Sequence, residues 1–141
     1  MKKTGLLLVL FILVATISAT TVLAKDYRFM DADVIKSNLA SNAPMTLVDI
    51  QVEDEFNQHH IIDAVATYAY PVKSAAERAK LDASIAELKG NHNMAVVVCP
   101  RGGGGAKRAY DYMVESGIAE ERVYILTNGQ AKWPYPELLA K

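Results

Sequence analysis

Met94-Ala95-Val96-Val97-Val98-Cys99-Pro100-Arg101-Gly102-Gly103-Gly104-Gly105-Ala106 opens with an unbroken apolar run that ends on a cysteine and continues into four glycines. The run is short for a helix and has no polar position, the pattern of a strand buried on both faces. Residues 106–116 then read as a helix with Ala109, Tyr110, Met113 and Val114 inward and Gly117 as its end signal. Between strand and helix the chain must turn sharply, and Gly102 to Gly105 can adopt backbone conformations closed to other residues. Successive amides in such a loop can point into one concavity, a nest suited to an anion. A sulfur at position 99 would face both that nest and the positive end of the following helix, and both favour thiolate over thiol. The plainer alternative is a small apolar residue closing a buried strand, followed by a flexible turn. A cysteine placed directly between an apolar strand and a glycine loop favours the reactive reading.

Outward from this segment, the chain alternates short strands with helices. Asp31 is placed to cap a helix carrying Val34, Ile35 and Leu39, and Thr46 to Ile50 is a compact buried strand. Glu53, Asp54 and Glu55 open a helical turn, with negative charge where a helix start favours it. Ala64 to Tyr70 is a weaker strand stopped by Pro71. Ser74 and Glu77 form a capping box for a helix with Leu81, Ile85 and Leu88 on one face and Gly90 as terminator. Val123 to Leu126 is the last clear strand, followed by a turn at Asn128-Gly129. The order predicts an α/β fold: a mostly parallel central sheet flanked by helices on both faces. Ligands in such sheets bind beyond the carboxyl ends of the strands, where Cys99 falls.

Composition limits the rest. The chain has 141 residues, 51% hydrophobic and 22% charged, which fits one globular domain with a sizeable core. A net charge of -1 offers no electrostatic footprint for nucleic acid. Lys2 and Lys3, the apolar run from Gly5 to Ala15 and the small-residue end at Val22-Leu23-Ala24 have the layout of a secretory signal over residues 1–24. That leaves residues 25–141 as the domain, outside the cytoplasmic membrane and so periplasmic or otherwise exported. An uncleaved anchor is the alternative, since Gly5 to Ala24 is long enough to span a bilayer, and it would be the chain's one membrane association. With one cysteine, an exported chain cannot close an internal disulfide, so the thiol is either a buried spectator or kept for chemistry.

Taken together, these segments resemble the rhodanese family over residues 29–139. Leu47-Val48-Asp49-Ile50 with Glu55-Phe56, His60-Ile61 and Ala64 is similar to its first signature; Met94 to Cys99 with the glycine loop is similar to its active-site signature. Val123-Tyr124-Ile125-Leu126, Asn128-Gly129 and Trp133 are similar to its closing one. The resemblance implies that Cys99 accepts a sulfane sulfur, holds it as a persulfide and passes it to a second acceptor. The catalytic residue is then Cys99, with substrate held by Arg101, Gly102, Gly103, Gly104, Gly105 and Ala106, and no cofactor is implied. The donor would be a small sulfur-containing anion or a persulfide, and the acceptor a thiol or a partner protein. The resemblance also gives His60 a structural role.

Several positions depart from the family pattern. Gln51 stands where Arg is frequent, and His59, Ile62 and Asp63 replace glycine and proline around His60. Catalytic members commonly carry Arg five residues after the cysteine, and that position is Gly104. Losing a fork-shaped cation there weakens the case for a doubly charged donor such as thiosulfate. Arg101 could compensate, as could Lys107 or Arg108 from the first helical turn; solvated charges are the alternative for all three. These departures keep open a non-catalytic anion- or protein-binding module on the same scaffold. A phosphatase is disfavoured, because related thiolate loops carry Arg six positions after the cysteine and Gly105 stands there. His59, His60 and His92 have no metal-ligand spacing, so no metal is expected. Asp49 is read as a scaffold residue bonding to loop backbone, and Trp133 as packing beneath the site.

Overall fold

The computed structural model describes residues 24–141. The segment read as a signal, residues 1–24, lies outside the described residues apart from Ala24. A five-stranded parallel sheet carries the fold: β1 (Phe29–Met30), β2 (Met45–Asp49), β4 (Val65–Ala66), β5 (Met94–Val98) and β6 (Val123–Leu126), in the order β1-β6-β5-β2-β4. A separate antiparallel pair joins β3 (His60–Ile61) to β7 (Leu139–Ala140).

The central strand β5 is covered from both sides, which explains its lack of polar positions. Side chains alternate across the pleat. Val48, Ile50, Ala95, Val97 and Cys99 face one layer, packed against Leu81, Ile85, Leu88, Ala106, Ala109, Tyr110 and Met113. Leu47, Val96 and Val98 face the other, packed against Ile35, Leu39, Ile61 and Trp133. The helices are α1 (Ala32–Ala40), α2 (Glu53–Gln58), α3 (Ala75–Ala79), α4 (Asp82–Lys89) and α5 (Gly104–Glu115). Trp133 therefore packs in the layer opposite Cys99, not beneath the site, and its Nε1 donates to the Tyr135 carbonyl.

Other elements differ from the sequence reading in instructive ways. The capping box at Ser74 and Glu77 is present, but the helix it starts is two pieces. The Lys80 and Leu81 amides bond to Glu77 and Arg78 carbonyls three residues back, a tightening that breaks the α-helical ladder as Leu81 enters the core. Asp31 stands at the N-cap of α1 without capping it, because its carboxylate accepts the Thr127 hydroxyl instead. The strand expected from Ala64 to Tyr70 shrinks to Val65–Ala66, and Tyr68 and Val72 take positive φ as the chain leaves the sheet. Helix α5 starts at Gly104, two residues earlier than Ala106, so the loop is only Pro100 to Gly103.

Candidate active site

Cys99 follows the last residue of β5 on the face covered by α4 and α5, and is 2% exposed. Its sulfur accepts the Gly102 amide at 2.7 Å. Gly102 reaches this geometry with φ +71°, a conformation that a side chain disfavours. The amides of Gly104, Gly105 and Ala106 precede the first intrahelical bond, from Lys107 to the Gly103 carbonyl, and so have no partner in the helix ladder. The expected nest is thus one loop amide on the sulfur followed by the unpaired start of α5.

The loop is seated from below by the turn after β6. The Gln130 amide donates to the Cys99 carbonyl at 2.7 Å and the Ala131 amide to the Pro100 carbonyl at 3.0 Å. Gly129, at φ +68°, lies directly against it: a β-carbon there would stand 2.5 Å from the Cys99 oxygen and the Gly102 nitrogen. The Asn128-Gly129 turn is legible in the sequence, but its service as the floor of the loop is not.

A cavity of about 110 Å³ opens over the sulfur, lined by Tyr70, Cys99, Arg101, Gly103, Gly104 and Gly105. That is room for a small ligand rather than a large organic one. Tyr70 closes one side, its ring so near Gly105 that a β-carbon there would meet it at 2.8 Å. Five of the seven residues expected at the site line this cavity, and Gly102 contributes its amide. Ala106 does not line it; its side chain is wholly buried in the core beneath α5. Arg101 is exposed and also borders a second cavity of about 190 Å³ with Gln51, Glu55, His59 and Gln130.

Of the other cations, Lys107 is exposed, its Nζ 5.2 Å from the centre of the Tyr27 ring. Arg108 is half-buried, with Nε donating to the Pro71 carbonyl at 2.9 Å.

Asp49 is fully buried at the end of β2 and accepts the Gln51 amide at 2.9 Å and the Gln51 side-chain Nε2 at 3.0 Å. Burial pushes its carboxyl up to about 6, and these two hydrogen bonds pull in the opposite sense. This is scaffolding of the kind expected, with a neutral amide where a cation is frequent. His60 stacks on Phe56 at 3.8 Å between ring centres and shares a hydrogen bond with the Phe56 carbonyl through Nδ1. Among the described residues, no three or more His, Cys, Asp or Glu side chains come together as a metal site.

The site is thus a single cysteine beside a glycine loop at a strand's carboxyl end in a parallel α/β domain, where ligands of such sheets bind. The rhodanese-like domain model matches residues 31–134, and the chain belongs to that family. No curated protein sequence matches it. Among solved structures it is similar to the rhodanese-like domain of an Anabaena protein, at 20% identity and TM-score 0.54, over 77% of this chain and 74% of that one. It is similar to an As-Sb reductase from Leishmania major at 16% identity and TM-score 0.61, over 81% and 85%. It is also similar to a rhodanese-related protein from Thermoplasma volcanium at 18% identity and TM-score 0.55, over 76% and 90%. At these identities the likeness is one of fold.

Proposed function

We propose that this chain is an exported sulfurtransferase or persulfide carrier that works through Cys99. The observation that carries the reading is the Gly102 amide aimed at the sulfur at 2.7 Å, with Cys99 in the wall of a small cavity. In this reading Cys99 attacks as the thiolate, the nucleophilic form of a cysteine, with that N-H donor beside it. The thiolate attacks the outer sulfur of a donor such as thiosulfate. A sulfur-sulfur bond forms to Cys99, the donor's own sulfur-sulfur bond breaks, and sulfite leaves with the electron pair. The persulfide then loses its outer sulfur to an acceptor thiolate, which restores the Cys99 thiolate and leaves the acceptor as a persulfide.

Membership of the rhodanese-like family and a site with room for one small ligand support this reading over a large-substrate enzyme. Location outside the cytoplasmic membrane is supported by the sequence of residues 1–24 alone. The test is release of sulfite from thiosulfate in the presence of a thiol acceptor. Turnover that vanishes in Cys99→Ser is expected. Binding of sulfur anions without release of sulfite from any donor would make the chain a non-catalytic module. Intact mass of the protein from the envelope fraction tests export: the chain should begin at Lys25, and a cytoplasmic chain still carrying residues 1–24 would contradict it.

A further inference from the structure

We infer that the cavity where α2, the Cys99 loop and the turn after β6 meet binds a small zwitterion, a molecule of amino-acid size carrying an ammonium and a carboxylate. At about 190 Å³ the cavity is smaller than the sites that take drug-sized ligands. Pro100 and Arg101 come to it from the loop, Glu55 and His59 from α2 and its C-cap, and Gln130 and Ala131 from the turn. Cys99 does not line it, so the inference stands apart from the chemistry of the thiol.

Two observations point to a ligand. Buried polar side chains nearly always find partners, and among the described residues three buried side-chain atoms do not: Gln130 Nε2, Gln130 Oε1 and Glu55 Oε2. All three belong to residues of this one cavity. Gln130 is 3% exposed, so its amide is not solvated at the surface, whereas the amide of Gln51, also in the cavity, already donates to Asp49. The second observation is charge. Glu55 and Arg101 share the cavity, yet among the described residues neither forms a salt bridge, with the other or with a third group. An anion and a cation that line one small space without meeting leave two separate poles. A lone anion would be drawn to Arg101 and repelled by Glu55, and a lone cation the reverse. A molecule with both charges answers both poles, its ammonium donating to the Glu55 carboxylate and its carboxylate accepting from the Arg101 guanidinium. Gln130 adds a carbonyl acceptor for the first group and N-H donors for the second.

Chemical-shift titration of the isotope-labelled chain with glycine, L-alanine and L-serine tests this, beside propionate and ethylamine, which are L-alanine without its ammonium and without its carboxylate. The amino acids should saturate and move the Gln130 side-chain amide resonances. Propionate and ethylamine should bind on the order of tenfold more weakly than L-alanine, the effect of losing one charge-assisted contact. Glu55→Gln should weaken L-alanine on the order of tenfold without weakening propionate. Arg101→Gln should weaken L-alanine and propionate without weakening ethylamine. A change in the shape of the cavity would weaken all three ligands alike, so the crossed pattern separates recognition from structure. Cys99→Ser should bind as the wild type does, so a chain that never takes up sulfur can still keep this site. No saturable shift at Gln130 with any of the three amino acids, or equal weakening of L-alanine, propionate and ethylamine in Glu55→Gln, overturns the inference.

Discussion

Gly129 lies so close beneath Cys99 that any side chain on it would collide with the Cys99 carbonyl, at 2.5 Å from the first added carbon. The contact is backbone against backbone, so no rotamer change relieves it. Gly129→Ala would add the cost of a positive φ to this overlap, and should destabilise the domain by at least about 2 kcal/mol. Because the Gln130 and Ala131 amides that hold the loop follow directly, sulfur uptake by Cys99 should fall with it. Urea denaturation and sulfur uptake, measured on the same preparation, check both halves. A variant with full stability and full uptake would mean that the turn is not the floor of the loop.

Asp49 predicts a specific pH dependence. Its carboxyl is raised to about 6 in the folded protein from 3.8, chiefly by burial, so between these values the folded state holds a proton that the unfolded state has released. Stability therefore falls as pH rises through this window, by roughly 3 kcal/mol if the full shift is expressed. In Asp49→Asn the Gln51 amide can flip to keep both hydrogen bonds without the charge. Relative to that variant, the wild type should lose stability from pH 4 to pH 7. Parallel denaturation curves across that range would show that the buried carboxyl does not titrate there.

Gln130 is 3% exposed, and neither its side-chain nitrogen nor its oxygen has a partner among the described residues. Only its main-chain amide serves the loop. Replacing it with the similarly sized Met removes an unpaired buried amide and should raise stability by about 1 kcal/mol with sulfur uptake retained. Denaturation midpoints give the answer, and a clear loss of stability would show that the amide is satisfied in solution.

Tyr70 walls the cavity by resting on Gly105, which has no room for a β-carbon at 2.8 Å from the ring. Gly105→Ala should force the ring outward at a cost of about 1 to 3 kcal/mol. Cys99 should then alkylate faster with neutral iodoacetamide. An unchanged rate would show that the ring does not limit access to the sulfur.

The strands that build the core were legible because their chemistry is repetitive. Met94 to Val98 and Val123 to Leu126 carry no polar residue, and burial on both faces leaves such runs few alternatives. The region between β2 and α4 was less so. Tyr68 and Val72 bend the chain through positive φ, a conformation neither side chain advertises, and the expected strand was cut short. At the site, the glycines announced a tight loop. They could not say that two of them form the first turn of α5, or that Gly104 yields its space to a residue one turn onward. That last relation belongs to the folded helix, where a position and its fourth neighbour meet. Gly129 was visible as a turn former, yet its contact with Cys99 joins segments thirty residues apart and exists only once β5 and β6 pair.

The central claim is that Cys99 becomes a persulfide under its glycine loop, and weighing the intact chain after exposure to sulfane donors tests it most directly. The account predicts a gain of one sulfur atom, removed by an acceptor thiol and absent in Cys99→Ser. No gain with thiosulfate or with persulfide donors, from a folded chain whose cysteine still alkylates, would contradict it.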